Sequence, residues 1–294
     1  MLQQNQKFNC LQSFIQYCSQ NIVNLELQLS KRNQGIIYLG NSFANCTNLS
    51  FLNLNLFDND ISSKGMIGLG IGLGNCLNLI TLQIDLNYIG DQGPSYLCQG
   101  LRNTKTLTNL ELHIASSNIL QKGASDLGNE LGKCLSIKNV QLYLRSNDIG
   151  PQGVSDLCFG LGQNINLNNL TLSLSQNNIN DQGVLGLCNG LQGNVNLINL
   201  NIILNENQIS QIGALRIGEG FKNFKNLKSM QIDLRDNNIG NQGIYDLGRE
   251  LRKYQNLQSL ELLLNRTKIG AQAKKKFPSI IHKMQKLVNK KLIY

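Results

Sequence analysis

The chain has no Trp, and aromatic residues make up only 6% of it. Burial must therefore rest on Leu and Ile, within a hydrophobic fraction of 41% that is enough for a sizeable core. Charged residues are also sparse, at 15%, so solubility does not come mainly from charge. No run of about 18 apolar residues occurs that could span a bilayer, and the opening MLQQNQKFNC is polar rather than signal-like. These absences lead us to expect a reducing compartment, the cytoplasm or the nucleus. Only two His are present, and none of the eight Cys has the CxxC spacing of a zinc site. There is no HExxH, no paired carboxylates at a defined spacing and no nucleophile motif. We expect no enzyme activity, no cofactor and no metal.

Amide and leucine take up the space. Asn and Gln together number 68 of the 294 residues. Such a bias can mark a disordered tract, but here the amides alternate with Leu at fixed phase, which favours folded repeats. The Ile closing each "NxI" element shows the period: Ile61, Ile89, Ile119, Ile149, Ile179, Ile209, Ile239 and Ile269. The first gap is 28 residues and the later gaps are 30.

Each copy holds two shorter periods. Leu52, Leu54 and Leu56, or Leu170, Leu172 and Leu174, alternate with polar residues, as in a strand with one buried face. Val154, Leu157 and Leu161 follow at helical spacing. A strand and a helix that are each apolar on one side cannot bury both faces alone, but a stack of them can. Between them stands an Asn column, Asn59, Asn87, Asn147, Asn177, Asn207 and Asn237. We read it as structural: the backbone turns there into a buried corner, and an amide offers both a donor and an acceptor to it. Small residues recur in the helices at Gly70, Cys98, Gly128, Cys158, Cys188, Gly218 and Gly248, which predicts close helix contacts. Cys46, Cys76 and Cys134 form a second stack; we expect all six cysteines to be packing residues. The run Gly68, Gly70, Gly72, Gly74 falls in a helical phase rather than after a strand, so it is not read as a phosphate loop.

The pattern LxxLxLxxNxI, followed by Gly and a helix, resembles the ribonuclease-inhibitor-like class of leucine-rich repeats over residues 21–270, in nine copies. The resemblance implies an α/β solenoid, a horseshoe with parallel strands on its concave face and helices on its convex face. The copy from Leu79 fits the plain 28-residue form. The others carry two extra residues, which we expect to lengthen the strand, with a sheet irregularity near Leu86. Residues 1–20 are expected to form a capping helix, from Leu11, Phe14, Ile15 and Cys18, and residues 271–294 a basic helical cap kinked or restarted at Pro278.

A repetitive concave surface and the missing catalytic sets lead us to expect a scaffold that holds a protein partner on its concave face, as a monomer. Outward strand residues form columns there, from which Phe57, Asp85, His113, Tyr143, Arg145, Asp233 and Arg235 are the expected contacts, Tyr and Arg being favoured at interface hot spots. Some proteins of this repeat class activate small GTPases in the manner of the Ran GTPase-activating protein. No catalytic residue of that family is matched here, and a basic C-terminus stands where an acidic one belongs. That basic segment holds Lys274, Lys275, Lys276, Lys283, Lys286, Lys290 and Lys291 without an acid among them. It suits a solvated cap or recruitment to an anionic membrane surface. No aromatic residues are interleaved for base stacking, which argues against nucleic acid.

Overall fold

The computed structural model describes residues 5–18, 22–29, 36–59, 61–284 and 286–294. Among these, eleven strands form one sheet in sequence order. They are β1 (Asn5–Phe8), β2 (Asn24–Gln28), β3 (Phe51–Asn55), β4 (Thr81–Leu86), β5 (Asn109–Ile114) and β6 (Asn139–Tyr143), then β7 (Asn169–Ser173), β8 (Asn199–Ile203), β9 (Ser229–Asp233), β10 (Ser259–Leu263) and β11 (Asn289–Ile293). Each pair is parallel and in register, so that Leu52, Leu82, Leu110 and Val140 stand side by side. A helix follows every strand except the last: α1 (Leu11–Tyr17), α2 (Ile36–Phe43), α3 (Ser63–Gly74), α4 (Gly93–Leu101) and α5 (Gln121–Gly132), then α6 (Gly150–Gly162), α7 (Asp181–Gly190), α8 (Gln211–Gly220), α9 (Gly240–Leu251) and α10 (Ala271–Ile281). Successive helices pack together on one side of the sheet and leave the other side free. The result is an α/β solenoid. None of the helices among the described residues is long and apolar enough to cross a membrane.

The inward strand residues meet the inward helix residues in one continuous core. Leu54, Leu112, Leu172 and Leu262 have no solvent exposure, and each contributes about 2 kcal/mol by burial. The helices approach closely. A Cβ added to Gly100 would lie 2.1 Å from the Gly70 backbone, and one on Gly160 would lie 2.2 Å from that of Gly128. Only glycine lets these backbones touch, which offsets its cost of about 1 kcal/mol in a helix.

Asn207 shows how the strand-exit corner is held. Its Nδ2 donates to the carbonyls of Leu174 (3.0 Å) and Leu204 (3.1 Å). Its Oδ1 accepts from the amides of Asn177 (3.1 Å) and Ile179 (2.9 Å). One side chain thereby satisfies backbone of two repeats. Asn147 and Asn237 repeat the arrangement, and Ser117 and Thr267 fill the position where the Asn is absent. Carboxylates cap the next repeat's helix in the same manner: Asp91 Oδ1 accepts from the amides of Leu120 and Gly123, and Asp181 Oδ1 from those of Ser210 and Gly213.

Several expectations are corrected. The N-terminal cap is a strand and a helix, β1 and α1, not a helix alone, and Cys18 lies just past the helix end. Residues 1–4, 19 and 20 of that cap lie outside the described residues. At the other end, α10 runs through Pro278 to Ile281 without restarting, and β11 follows it. Lys290 takes the inward place in β11 that Leu260 holds in β10, and it is exposed. The two extra residues of the long copies do not lengthen the strand. They form a turn after it, as at Arg145 and Ser146, and the second adopts a left-handed conformation (Ser146 φ 54, Gln176 φ 54, Glu206 φ 57). The short copy lacks that turn, while β4 and β5 pair regularly through Leu86 and Ile114.

Candidate functional site

The helix-free face of the sheet is built from the outward residue of every strand step. Its first column is a hydrogen-bonded ladder of amides: Asn139 Nδ2 donates to Asn109 Oδ1 (2.5 Å), Asn169 to Asn139, and Asn199 to Asn169 (2.5 Å). Each amide spends its carbonyl on one neighbour and an N–H on the other, so this ladder is largely self-satisfied. The ladder is not among the expected contacts, and an Asn recurring at 30-residue spacing at strand starts is the signal that carries it.

The most differentiated region lies on β4, β5 and β6. The register places Asp85, His113 and Tyr143 side by side. The imidazole and phenol rings stack, with centroids 4.2 Å apart and planes at 13°. His113 Nε2 lies 2.7 Å from Glu111 Oε1, Gln83 Nε2 donates to Glu111 Oε2 (3.0 Å), and the Tyr143 hydroxyl donates to Gln141 Oε1 (3.0 Å). Burial raises the pKa of Asp85, opposed by the neighbouring His113. Burial, then the Glu111 charge, raises that of Tyr143. Glu111 and Gln141 bond the two rings and Gln83 holds Glu111; none of the three is among the contacts expected from the sequence.

Arg145 lies on the turn just beyond β6, in a network that crosses three repeats. It donates to Gln176 Oε1 (3.2 Å) and pairs with Glu206 (3.3 Å), which Gln176 also bonds. Asp233 and Arg235 form a separate group at β9. Asp233 is buried, and Arg235 wraps its carboxylate through Nε (2.9 and 3.0 Å) and a terminal nitrogen (2.6 Å). Phe57 is half exposed on the turn after β3, beside the copy that lacks the equivalent turn. The seven residues therefore fall into a central group, Asp85, His113, Tyr143 and Arg145, with Asp233–Arg235 and Phe57 apart from it. Between β7 and β9 the face holds a depression of about 220 Å³ lined by Asn169, Thr171, Asn199 and Asn201, where the buried Asn201 Oδ1 has no hydrogen-bond partner.

No group of three His, Cys, Asp or Glu that could hold a metal occurs among the described residues. Cys46, Cys76, Cys98, Cys134, Cys158 and Cys188 are buried free thiols, and burial pushes Cys76 and Cys134 up to about 12. The arrangement offers mixed donors and acceptors around one stacked pair of rings.

The chain matches a family model described as leucine-rich repeat over residues 46–70, 139–158, 166–188 and 229–248. It carries leucine-rich repeats in those stretches. Among solved structures, actin-binding site 2 of leiomodin-1 is similar, with 16% identity and a TM-score of 0.42 over 54% of this chain and 88% of that one. No curated protein matches the chain.

Proposed function

We infer that this protein is a non-catalytic scaffold that binds a protein partner on the helix-free face, centred on β4 to β6. Leucine-rich repeats generally serve as protein-interaction scaffolds. The His113–Tyr143 stack carries the reading for this chain: it is an ordered, part-exposed aromatic platform with carboxylates and amides around it, the kind of anchor that concentrates binding energy. Affinity capture with the full chain as bait identifies the partner. The His113→Ala/Tyr143→Ala pair should then weaken binding by about 2 kcal/mol or more, roughly thirtyfold. Unchanged affinity in the pair would remove this face from the interaction. GTPase activation has less to rest on, because Arg145, Arg235 and Arg266, arginines at the rim, are each engaged with a carboxylate. Hydrolysis of GTP by a Ran-type GTPase, followed with and without the protein, should show no acceleration.

A further inference from the structure

The helix-to-strand loops of nine successive repeats form one edge of the solenoid. They read ANCTNLS, NCLNLI, RNTKTLT, KCLSIK, QNINLN, LQGNVNLI, FKNFKNLK, RKYQNLQ and HKMQKLV, and contain eleven Lys or Arg without a single Asp or Glu. Each of those eleven cations is exposed. The opposite edge, where strands lead into helices, mixes both signs: it carries Asp58, Asp91, Asp148 and Asp236 as well as Arg145, Arg235, Arg266 and Lys268. The basicity of the chain is thus sorted by edge as much as by its C-terminal segment, and the seven tail lysines are scattered. Lys274 and Lys276 stand over the rings of Tyr294 and Tyr245, and Lys291 pairs with Glu261. Only Lys283 and Lys286 join the edge.

Local pairing does not account for the edge charge. Arg102 and Lys133 share Glu130, and Lys253 pairs with Glu250. The other eight cations form no ion pair among the described residues. A cation in the last turn of a helix is favoured by the helix dipole, but Lys105, Lys138, Lys225, Lys228 and Lys286 lie beyond that turn. Two clefts open on the basic end. One, of about 400 Å³, is bordered by Lys222, Lys225 and Lys253; the other, of about 580 Å³, by Arg249, Arg252, Lys253 and Lys283.

The same row carries aliphatic residues. Leu77, Leu135, Ile165 and Val195 occupy one loop position in their repeats, the position that Lys225 takes later, and each is more than half exposed. Exposed aliphatic tips next to lysines suit one kind of surface better than others. Against a nucleic acid they have nothing to contact on the phosphates, and base stacking needs aromatic residues. Against an acidic protein, Tyr, Trp and Arg are the favoured anchors, whereas nine of the eleven cations here are Lys. A bilayer takes both features, the aliphatic groups entering the headgroup boundary and the ammonium groups meeting anionic lipid.

We propose that the helix-exit edge is a peripheral docking surface for anionic membranes, with Leu135, Ile165 and Val195 as the inserting row and the Lys222–Lys286 cluster as the electrostatic contact. It lies away from the sheet face assigned to a protein partner, so the two can fail independently.

Pelleting the full chain with phosphatidylcholine vesicles, with and without phosphatidylserine, at low and high salt tests it. The protein should follow the anionic vesicles and dissociate as salt rises. Lys222→Ala/Lys225→Ala/Lys228→Ala should lower the partition on the order of a hundredfold, each lysine being worth about fivefold near such a surface. Leu135→Ser/Ile165→Ser/Val195→Ser should lower it about tenfold. Lys274→Ala/Lys275→Ala/Lys276→Ala should leave it within about twofold, since those lysines lie off the edge. Circular dichroism confirms the fold of each variant, and Lys225→Glu alone serves if a triple variant is unstable. The proposal is overturned by equal binding to neutral and anionic vesicles, by a loss confined to the 274–276 variant, or by an aliphatic variant that binds like the parent while duplex RNA competes the vesicles away.

Discussion

The two corners of each repeat solve the same problem in different ways. Where a strand turns toward its helix, a short polar side chain bonds the buried backbone: Asn at 59, 87, 147, 177, 207 and 237, Ser117 and Thr267. Where the helix turns back to the next strand, the equivalent buried position drifts along the chain, through Cys46, Cys76, Thr104, Cys134, Asn164, Asn194, Phe224, Tyr254 and Met284. The first corner has a left-handed residue and unpaired backbone donors that only a correctly placed polar group can meet. The second satisfies much of its backbone locally, as in the Cys134 amide to Leu131 carbonyl and the Ile137 amide to Cys134 carbonyl bonds. Filling its corner then becomes mainly a matter of volume. A position that must bond is restricted to few residue types, while one that must fill tolerates many.

Asn207→Leu should break this contrast most severely. It leaves the Asn177 and Ile179 amides and the Leu174 carbonyl without their partner, while the Leu204 carbonyl keeps Asn237; at 1–3 kcal/mol each, a loss of about 4 kcal/mol is expected in urea unfolding. Asn164→Val, at the drifting corner, removes donation to the Cys134 and Ile137 carbonyls and should cost about half as much. Equal losses would erase the distinction between the corners.

High pH probes the drifting corner together with the buried helix thiols Cys98, Cys158 and Cys188, which burial also pushes up. Cys76 and Cys134 titrate near 12 when folded because burial disfavours the thiolate, and near 9 when unfolded. Below pH 9 the thiols are neutral in both states and cost nothing. Above it the unfolded state releases protons first, so stability falls by about 1.4 kcal/mol per pH unit for each thiol. Thermal unfolding at pH 8 and pH 10.5 should show the loss, and Cys76→Ala/Cys134→Ala should reduce its slope by the share of those two thiols. A slope unchanged in that variant would place the alkaline sensitivity elsewhere. The smallest effect is expected at the loop tips. Leu135→Ser should change stability by less than about 0.5 kcal/mol, since the side chain is already more than half exposed.

Much of the fold was legible because it depends on period. The inward leucines, the 30-residue repeat and the buried cysteines all follow from which positions recur. The turn after each strand was not. Leu144 continues the alternation of Val140 and Leu142, so the pattern reads as strand past the point where Ser146 goes left-handed, and Ser, Gln, Glu, Asp and Arg at that position give no glycine-like warning. The end strands were hidden for a different reason. NQKF and NKKLI are edge strands and lack the apolar alternation that marks the inner ones. On the candidate face, the columns put His113 beside Tyr143, but the stack depends on Glu111 and Gln141 holding the rings, which spacing does not reveal.

Lys290 bears on a question of length. Every repeat here offers its neighbour a complete interface, and a stack of interchangeable units has no reason of its own to stop. At β11 the inward place belongs to an ammonium group, and any further strand laid against it would have to seal that charge into a leucine column without a partner. A single amine on β11 thus makes the laying of another strand against that edge costly.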